Sequence, residues 1–368
     1  MSKFTKLAAL AGVSALVLTG CAANEAAVEQ TSAATSETST AVALAGTLNG
    51  SGASSMAAGM EAWVSAFQTA NPDVTINYDP TGSGTGRAQF QEGATLFTGS
   101  DSYWKDEELA GAFPSCAAGT LPWEFPIWIS PIAVIFNLDG ITSLNMDGAT
   151  VAGIFAGQIT KWNDPAIAAT NPGVSLPDLA ITAVHRSDES GTSKNFTDYL
   201  SKVAEDVWTV GAIEAWPAEY GGEGAQGTSG VVSAVSGGNG TIGYADASRA
   251  GDLGTVAVKV GEQFVGYSPE AAAAVVDASP LVEGRESYDL AYKIDRNTTA
   301  SGAYPIVLVS YLMGCNDYAD DSVVDLVKAW ASFLVSEEGQ NVASASAGNA
   351  PISASLREAA QAIIDSIQ

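Results

Sequence analysis

The 368-residue chain carries 41 acidic against 15 basic side chains, a formal net charge of −26, with one histidine and three cysteines. That balance offers no cationic surface to a phosphate backbone, which excludes nucleic-acid binding, and so few histidines and cysteines leave no ligand set for a zinc or iron site. With 46% hydrophobic residues and 38 glycines, the chain is globular and long enough for two domains, each with its own core, and the composition suits an α/β protein with many tight strand-to-helix turns.

Lys3 and Lys6 precede an apolar run from Leu7 to Leu18, too short to span a bilayer comfortably and readable as a secretory signal over residues 1–20. Its end, Leu18-Thr19-Gly20-Cys21, resembles the bacterial lipobox, whose cysteine is acylated and becomes the first mature residue. Cys21 is therefore the expected lipidation site, anchoring the protein outside the cytoplasmic membrane. Residues 21–43 are rich in Ala, Ser, Thr and Glu and lack aromatics; they read as a flexible tether. No second long apolar segment follows, so the body is expected to be soluble and tethered. Cys116 and Cys315 remain, in an oxidising compartment where thiols tend to pair. Two buried free thiols are the alternative, and a bond would close a loop of about 200 residues, contributing at most roughly 5 kcal/mol on the chain-entropy model.

A short apolar stretch from Leu44 ends in Gly50-Ser51-Gly52-Ala53-Ser54-Ser55. Met56, Met60, Trp63, Val64 and Phe67 then mark one face of a helix, stopped at Asn71-Pro72. Val74, Ile76 and Tyr78 alternate as a strand that runs into Thr81-Gly82-Ser83-Gly84-Thr85-Gly86, completing a βαβ opening. A second helix is expected around Arg87 to Gln91, then a short strand with Asp101 at its tip. Pro126 to Phe136 reads as a buried strand or crossover, and Asn163-Asp164-Pro165 starts a capped helix. Further strands are expected at Ile181 to His185, Gly240 to Ala245, Thr255 to Val258 and Ala303 to Leu312. Helices are expected after Arg186-Ser187-Asp188-Glu189-Ser190-Gly191-Thr192-Ser193, at Pro269 to Ala278, and in two or three pieces along the tail to Ile367.

Three loops combine glycine with short hydroxyl side chains at a helix start: Gly52-Ala53-Ser54-Ser55, Gly82-Ser83-Gly84-Thr85 and Ser190-Gly191-Thr192. Unpaired N–H groups and a positive helix end suit a dehydrated oxyanion, glycine lets the backbone approach, and hydroxyls add neutral donors. Taken singly, each loop reads equally as an ordinary N-cap. Arg186 adds a bidentate clamp, with Asp188 two residues on to hold the guanidinium. Asp101 repels a fully ionised anion but accepts a hydrogen bond from one that carries a proton. His185 and Ser190 make no nucleophile pair, because no second histidine serves as base, and no metal-ligand cluster suggests a phosphatase.

These segments, with Gly99-Ser100-Asp101, Thr160-Lys161-Trp162-Asn163-Asp164, Phe196-Thr197 and Gly240-Thr241-Ile242-Gly243-Tyr244, resemble the substrate-binding lipoproteins of bacterial phosphate-specific ABC importers. The likeness runs from about Leu48 to Tyr244 and more loosely to the C-terminus. It implies a type II, two-lobed α/β periplasmic-binding-protein fold, with lobe I at 44–130 and 305–368, lobe II at 131–304, and one inorganic phosphate gripped between them. It implies phosphate contacts from Ser54, Ser55, Ser83, Asp101, Arg186, Ser190, Gly191 and Thr192, with Asp188 behind Arg186. It implies a monomer with no cofactor or metal that delivers ligand to permease subunits and is not an enzyme. Cys116 and Cys315 fall in one lobe under that division, which favours their bond. The chain departs from the family pattern at Ser55-Met56, at Ser102-Tyr103-Trp104 and around Cys116. Other tetrahedral oxyanions, sulfate or molybdate, remain the nearer rivals, together with a phosphate-sensing surface receptor that does not transport.

Overall fold

The computed structural model describes residues 44–368; the signal, Cys21 and the tether lie outside them. Strand β1 (Gly46–Gly52), helix α1 (Ala57–Ala70) and strand β2 (Val74–Asp79) form the expected βαβ unit, with β1 and β2 parallel. Met60, Trp63 and Phe67 are buried on one face of α1, as their helical spacing dictates. Helix α2 (Ser83–Gln91) and strand β3 (Phe97–Ser100) follow, β3 pairing parallel with β1. The sequence places the start of α2 at Arg87, but the helix begins at Ser83. Glycine is a poor helix former, yet a Cβ at Gly86 would come within 2.4 Å of the Gly52 Cα. Close packing of α2 on β1 therefore demands glycines that propensity alone reads as loop.

After the short helix α3 (Asp106–Leu109) comes the sixteen-residue strand β4 (Pro122–Asn137), buried along nearly its whole length. Then come β5 (Ser143–Met146), α4 (Gly148–Phe155), α5 (Pro165–Thr170), β6 (Thr182–Arg186), α6 (Gly191–Val203), β7 (Glu223–Ala225), α7 (Gly227–Gly237), β8 (Thr241–Asp246), β9 (Gly254–Val260), β10 (Gln263–Val265) and α8 (Pro269–Asp277). Strand β11 (Val307–Cys315) and helices α9 (Val324–Val335), α10 (Glu337–Ala347) and α11 (Ala354–Ser366) complete the body. The run from Ala303 expected as strand joins the ladder only at Val307. Helices α4 and α7 went unanticipated because their sequences, GATVAGIF and GTSGVVSAVSG, are rich in glycine and β-branched residues that favour other conformations.

Strand β4 joins two halves. Its residues 122–131 run antiparallel to β11, which also pairs antiparallel with β3, while residues 132–137 run antiparallel to β8. Beyond β8, strand β6 pairs parallel, and β9 bridges β4 to β5 and β10. The late return of β11 beside β3 brings the chain back to the N-terminal half, where Cys315 is bonded to Cys116. A crosslink between residues 199 positions apart restricts the unfolded chain more than a short one does. The halves meet closely enough that the body forms one compact unit. No described helix is long and apolar enough to cross a membrane.

Candidate functional site

The loops after β1, β3 and β6 converge where the two halves meet. Gly52 adopts φ +140°, and a Cβ there would lie 1.9 Å from the Gly99 carbonyl oxygen, so only glycine lets the β1 and β3 ends run together. The Gly82 N–H donates to the Gly52 carbonyl at 2.8 Å, which seats the start of α2 in the same place. From the other half, α6 begins at Gly191 with Ser190 as its N-cap, the Ser190 hydroxyl accepting from the Ser193 N–H at 3.1 Å. A Cβ at Gly191 would fall 2.6 Å from both the Asp101 Cβ and the Ser83 Oγ. The absence of a side chain at Gly191 is what allows the halves to close here.

Asp101 is the hub. Its Oδ1 accepts from the hydroxyls of Ser55 at 2.7 Å and Ser310 at 2.8 Å, and its Oδ2 accepts from Thr192 at 2.9 Å. Its N–H donates to Ser83 Oγ at 3.1 Å, and its carbonyl accepts from Asn195 Nδ2 at 2.7 Å. Only 4% of Asp101 is exposed. Burial raises its carboxyl above the ordinary value, and the three hydroxyl bonds and the charge of Arg186 pull against that rise.

Arg186 closes β6 and is 2% exposed, so its pairing is not that of a surface arginine. Nε donates to Asp188 Oδ1 at 2.8 Å and Nη2 to Oδ2, while Nη1 reaches Thr192 Oγ1 at 3.5 Å. Asp188 also accepts from the Gly227 N–H at 3.0 Å. Although burial works to raise it, the guanidinium holds the Asp188 carboxyl below its usual range. The Tyr244 hydroxyl accepts from the Arg186 N–H at 3.3 Å and pairs with Ser193 Oγ at 2.6 Å, fixing the base of this loop. His185 stacks on Trp216 with ring centroids 4.7 Å apart, and burial lowers its pKa.

Of the residues singled out from sequence, Ser55, Ser83, Asp101, Arg186, Asp188, Gly191 and Thr192 thus form one connected cluster. Ser54 and Ser190 differ in where their hydroxyls go. Ser54 Oγ accepts from the Thr228 N–H at 3.1 Å, at the start of α7, and lies 3.2 Å from Thr228 Oγ1; Ser190 Oγ serves its own helix. Sequence reasoning missed Ser310, Asn195 and Thr228. A serine inside the fully buried strand β11 is the one available signal for Ser310. A cavity of 240 Å³ adjoins the cluster, lined by Asp101, Asn195, Arg296 and Lys194 among others. The larger cavity of 700 Å³ lies between α1 and β2 and touches none of the site residues. Among the described residues no cluster of His, Cys, Asp and Glu is arranged to hold a metal.

Residues 28–338 match the family model of the PBP superfamily domain. The phosphate-binding protein PstS 3 of Mycobacterium leprae is 36% identical over 332 residues, 88% of each chain. The chain belongs to the PstS phosphate-binding-protein family. A phosphate-binding protein PstS of Xylella fastidiosa is 33% identical over 276 residues, 72% of this chain and 71% of its own. Among solved structures, a high-affinity periplasmic phosphate-binding protein, PfluDING, bound with phosphate, superposes with a TM-score of 0.67 at 21% identity, covering 86% of this chain and 93% of that one. A putative phosphate ABC transporter substrate-binding protein with bound phosphate, from Clostridium perfringens, gives a TM-score of 0.58 at 23% identity, covering 82% and 98%. These neighbours share the two-lobed periplasmic-binding architecture, of which the halves joined by β4 are this chain's version.

Proposed function

We propose that the protein binds inorganic phosphate, dehydrated, between its two halves and delivers it to an ABC importer without transforming it. The observation that carries this reading is the accounting of lone pairs on Asp101. Oδ1 accepts two hydroxyls and is filled, whereas Oδ2 accepts one and keeps a lone pair. A carboxylate so held asks for a ligand oxygen that bears a proton. Monohydrogen and dihydrogen phosphate supply one, and sulfate, fully ionised at neutral pH, does not. Arg186, the hydroxyl of Ser83, the N–H groups of Ser54, Ser55, Gly191 and Thr192 and the capped start of α6 supply donors for the remaining oxygens. The curated relatives named as phosphate-binding proteins support the same ligand.

Residues 44–130 with 305–368, and 131–304, are the two lobes in this reading, and ligand favours the closed arrangement through contacts that only closure completes. Cys21 anchors the protein outside the cytoplasmic membrane; incorporation of labelled palmitate that is lost in Cys21→Ala tests the anchor. For the ligand, a soluble chain beginning near Leu44 is stripped of anion and titrated by calorimetry at neutral pH. One-to-one binding of phosphate with no heat from sulfate is expected. Equal binding of sulfate or molybdate, or no binding, overturns the assignment.

A further inference from the structure

We infer that Glu214, which lies outside the ligand cluster, is a positioning residue that sets phosphate affinity by latching the closed cleft, an inference resting on the phosphate-binding reading above. Glu214 comes from the half that holds Arg186 and Thr192, yet its carboxylate is bound by two cations of the opposite half. Arg87 Nη2 on α2 donates to both Glu214 carboxylate oxygens at 2.9 Å, and Lys105 Nζ, just before α3, reaches Oε2 at 2.5 Å. The side chains of Arg87 and Glu214 are 1% and 6% exposed, so this is not a solvated surface pair of the kind that contributes little.

Each end of the pair continues into the ligand cluster. Arg87 Nη1 donates to Ser100 Oγ at 2.8 Å, one residue before Asp101, and its Nε is held by Glu108 at 3.0 and 3.1 Å. The Glu214 carbonyl accepts the Ser190 N–H at 3.1 Å, at the cap of α6. The ion pair therefore ties the strand end that presents Asp101 to the helix start that presents Gly191 and Thr192. When the halves separate, Arg87 keeps Glu108, which belongs to its own half, and Glu214 returns to water. The Glu214 contacts exist only in the closed state, and whatever they contribute moves the open–closed balance and with it the apparent affinity.

The test compares the unmodified protein with Glu214→Gln, which preserves shape and removes charge, and with Lys105→Gln, a milder change at a partly exposed position. Phosphate affinity is expected to fall about 10- to 100-fold in Glu214→Gln and by a few-fold in Lys105→Gln, mainly through faster release in stopped flow. The ratio of phosphate to sulfate affinity is expected to stay unchanged. The melting temperature is expected to fall only when phosphate is bound, because the ligand-free form lacks the latch. Unchanged affinity in Glu214→Gln overturns the inference, as does an equal fall in melting temperature with and without phosphate. Failure of the unmodified protein to bind phosphate counts instead against the reading on which the inference rests.

Discussion

Asp101 and Glu214 are both buried carboxylates that span the two halves, and they are held by opposite chemistry. Three hydroxyls surround Asp101, with Arg186 directed at Asp188 and Thr192; Glu214 is gripped directly by a guanidinium and an ammonium. The result is a divergence in acidity. Burial leaves the Asp101 carboxyl above its ordinary value, whereas Arg87 and Lys105 overcome the same effect and drive Glu214 down to about 2. Neutral donors hold an acceptor in place without occupying its charge, which is what a site must do to recognise a proton on its ligand. A latch has no such duty and uses full charges, whose attraction grows in a desolvated setting provided the geometry is good.

The largest effect that would sharpen this contrast is removal of the arginine on the ligand side. Arg186→Ala leaves the half-buried Asp188 without its partner and takes away the only guanidinium among the predicted ligand contacts. Stability is expected to fall by about 1–3 kcal/mol, since solvent and the Gly227 N–H still reach Asp188, and calorimetric phosphate binding to fall below detection. A variant that retains nearly full affinity would mean that the hydroxyl cluster alone grips the anion. Asp246 extends the comparison to a third buried carboxylate, one with no cation among its partners. It accepts from Trp128 Nε1 at 3.2 Å and the Ser248 N–H at 2.9 Å, and burial pushes its pKa from 3.8 up to about 6. Since the folded value lies above the unfolded one, the folded state binds the extra proton between pH 3.8 and about 6. Stability therefore falls as pH rises through that window, by up to about 3 kcal/mol. Denaturant melts of the unmodified protein and Asp246→Asn at pH 4 and pH 6.5 check this, and an identical pH dependence in both removes Asp246 as its source.

The two carboxylates also differ in how far the sequence discloses them. Asp101 stands at the end of a short apolar strand beside glycine and serine, and Arg186 and Asp188 lie in a run whose likeness to a family is specific. Local pattern therefore reaches the loops that meet around Asp101 and Arg186, the βαβ opening and the helices with clear spacing, such as α1. It does not reach Glu214, whose neighbours Ile213 and Ala215 carry no signal and whose partners stand 127 and 109 positions away. Ser310 is hidden in the same way, 209 positions from Asp101 inside a hydrophobic strand. The first turn of α2 escapes because Gly84 and Gly86 answer to close packing, with a Cβ at either falling within 2.6 Å of a neighbour, a tertiary demand that local propensity does not encode. Helices α4 and α7 escape because their glycines and β-branched residues favour other conformations.

Selectivity tests the Asp101 side at a smaller scale. In Asp101→Asn an amide can replace the lone pair of Oδ2 with a donor, so phosphate loses the acceptor for its proton and sulfate loses a repulsive partner. The phosphate-to-sulfate affinity ratio is expected to shrink by about 10- to 100-fold, the worth of 1–3 kcal/mol for one buried hydrogen bond gained or lost. An unchanged ratio would remove Asp101 from discrimination and leave it a structural hub.

The smallest expected effect concerns salt, and it bears on both carboxylates together. A chain of net charge −26 opposes the approach of an anion, so long-range attraction is a poor source of affinity here, and screening that field would if anything favour binding. Short bonds in a desolvated cluster are barely screened, because mobile ions act over a Debye length of about 8–10 Å in water near 0.1–0.15 M salt and do not enter the site. The Arg87–Glu214 pair, 2.9 Å long and almost fully buried, should be equally insensitive. Phosphate affinity is therefore expected to change by less than about threefold between 50 and 200 mM salt, a range across which exposed charges lose much of their reach. Titration at both concentrations decides it. A steep loss would show that exposed charge, instead of the hydroxyl ring and the buried latch, carries the binding, and would erase the distinction between the two carboxylates as devices that work by contact.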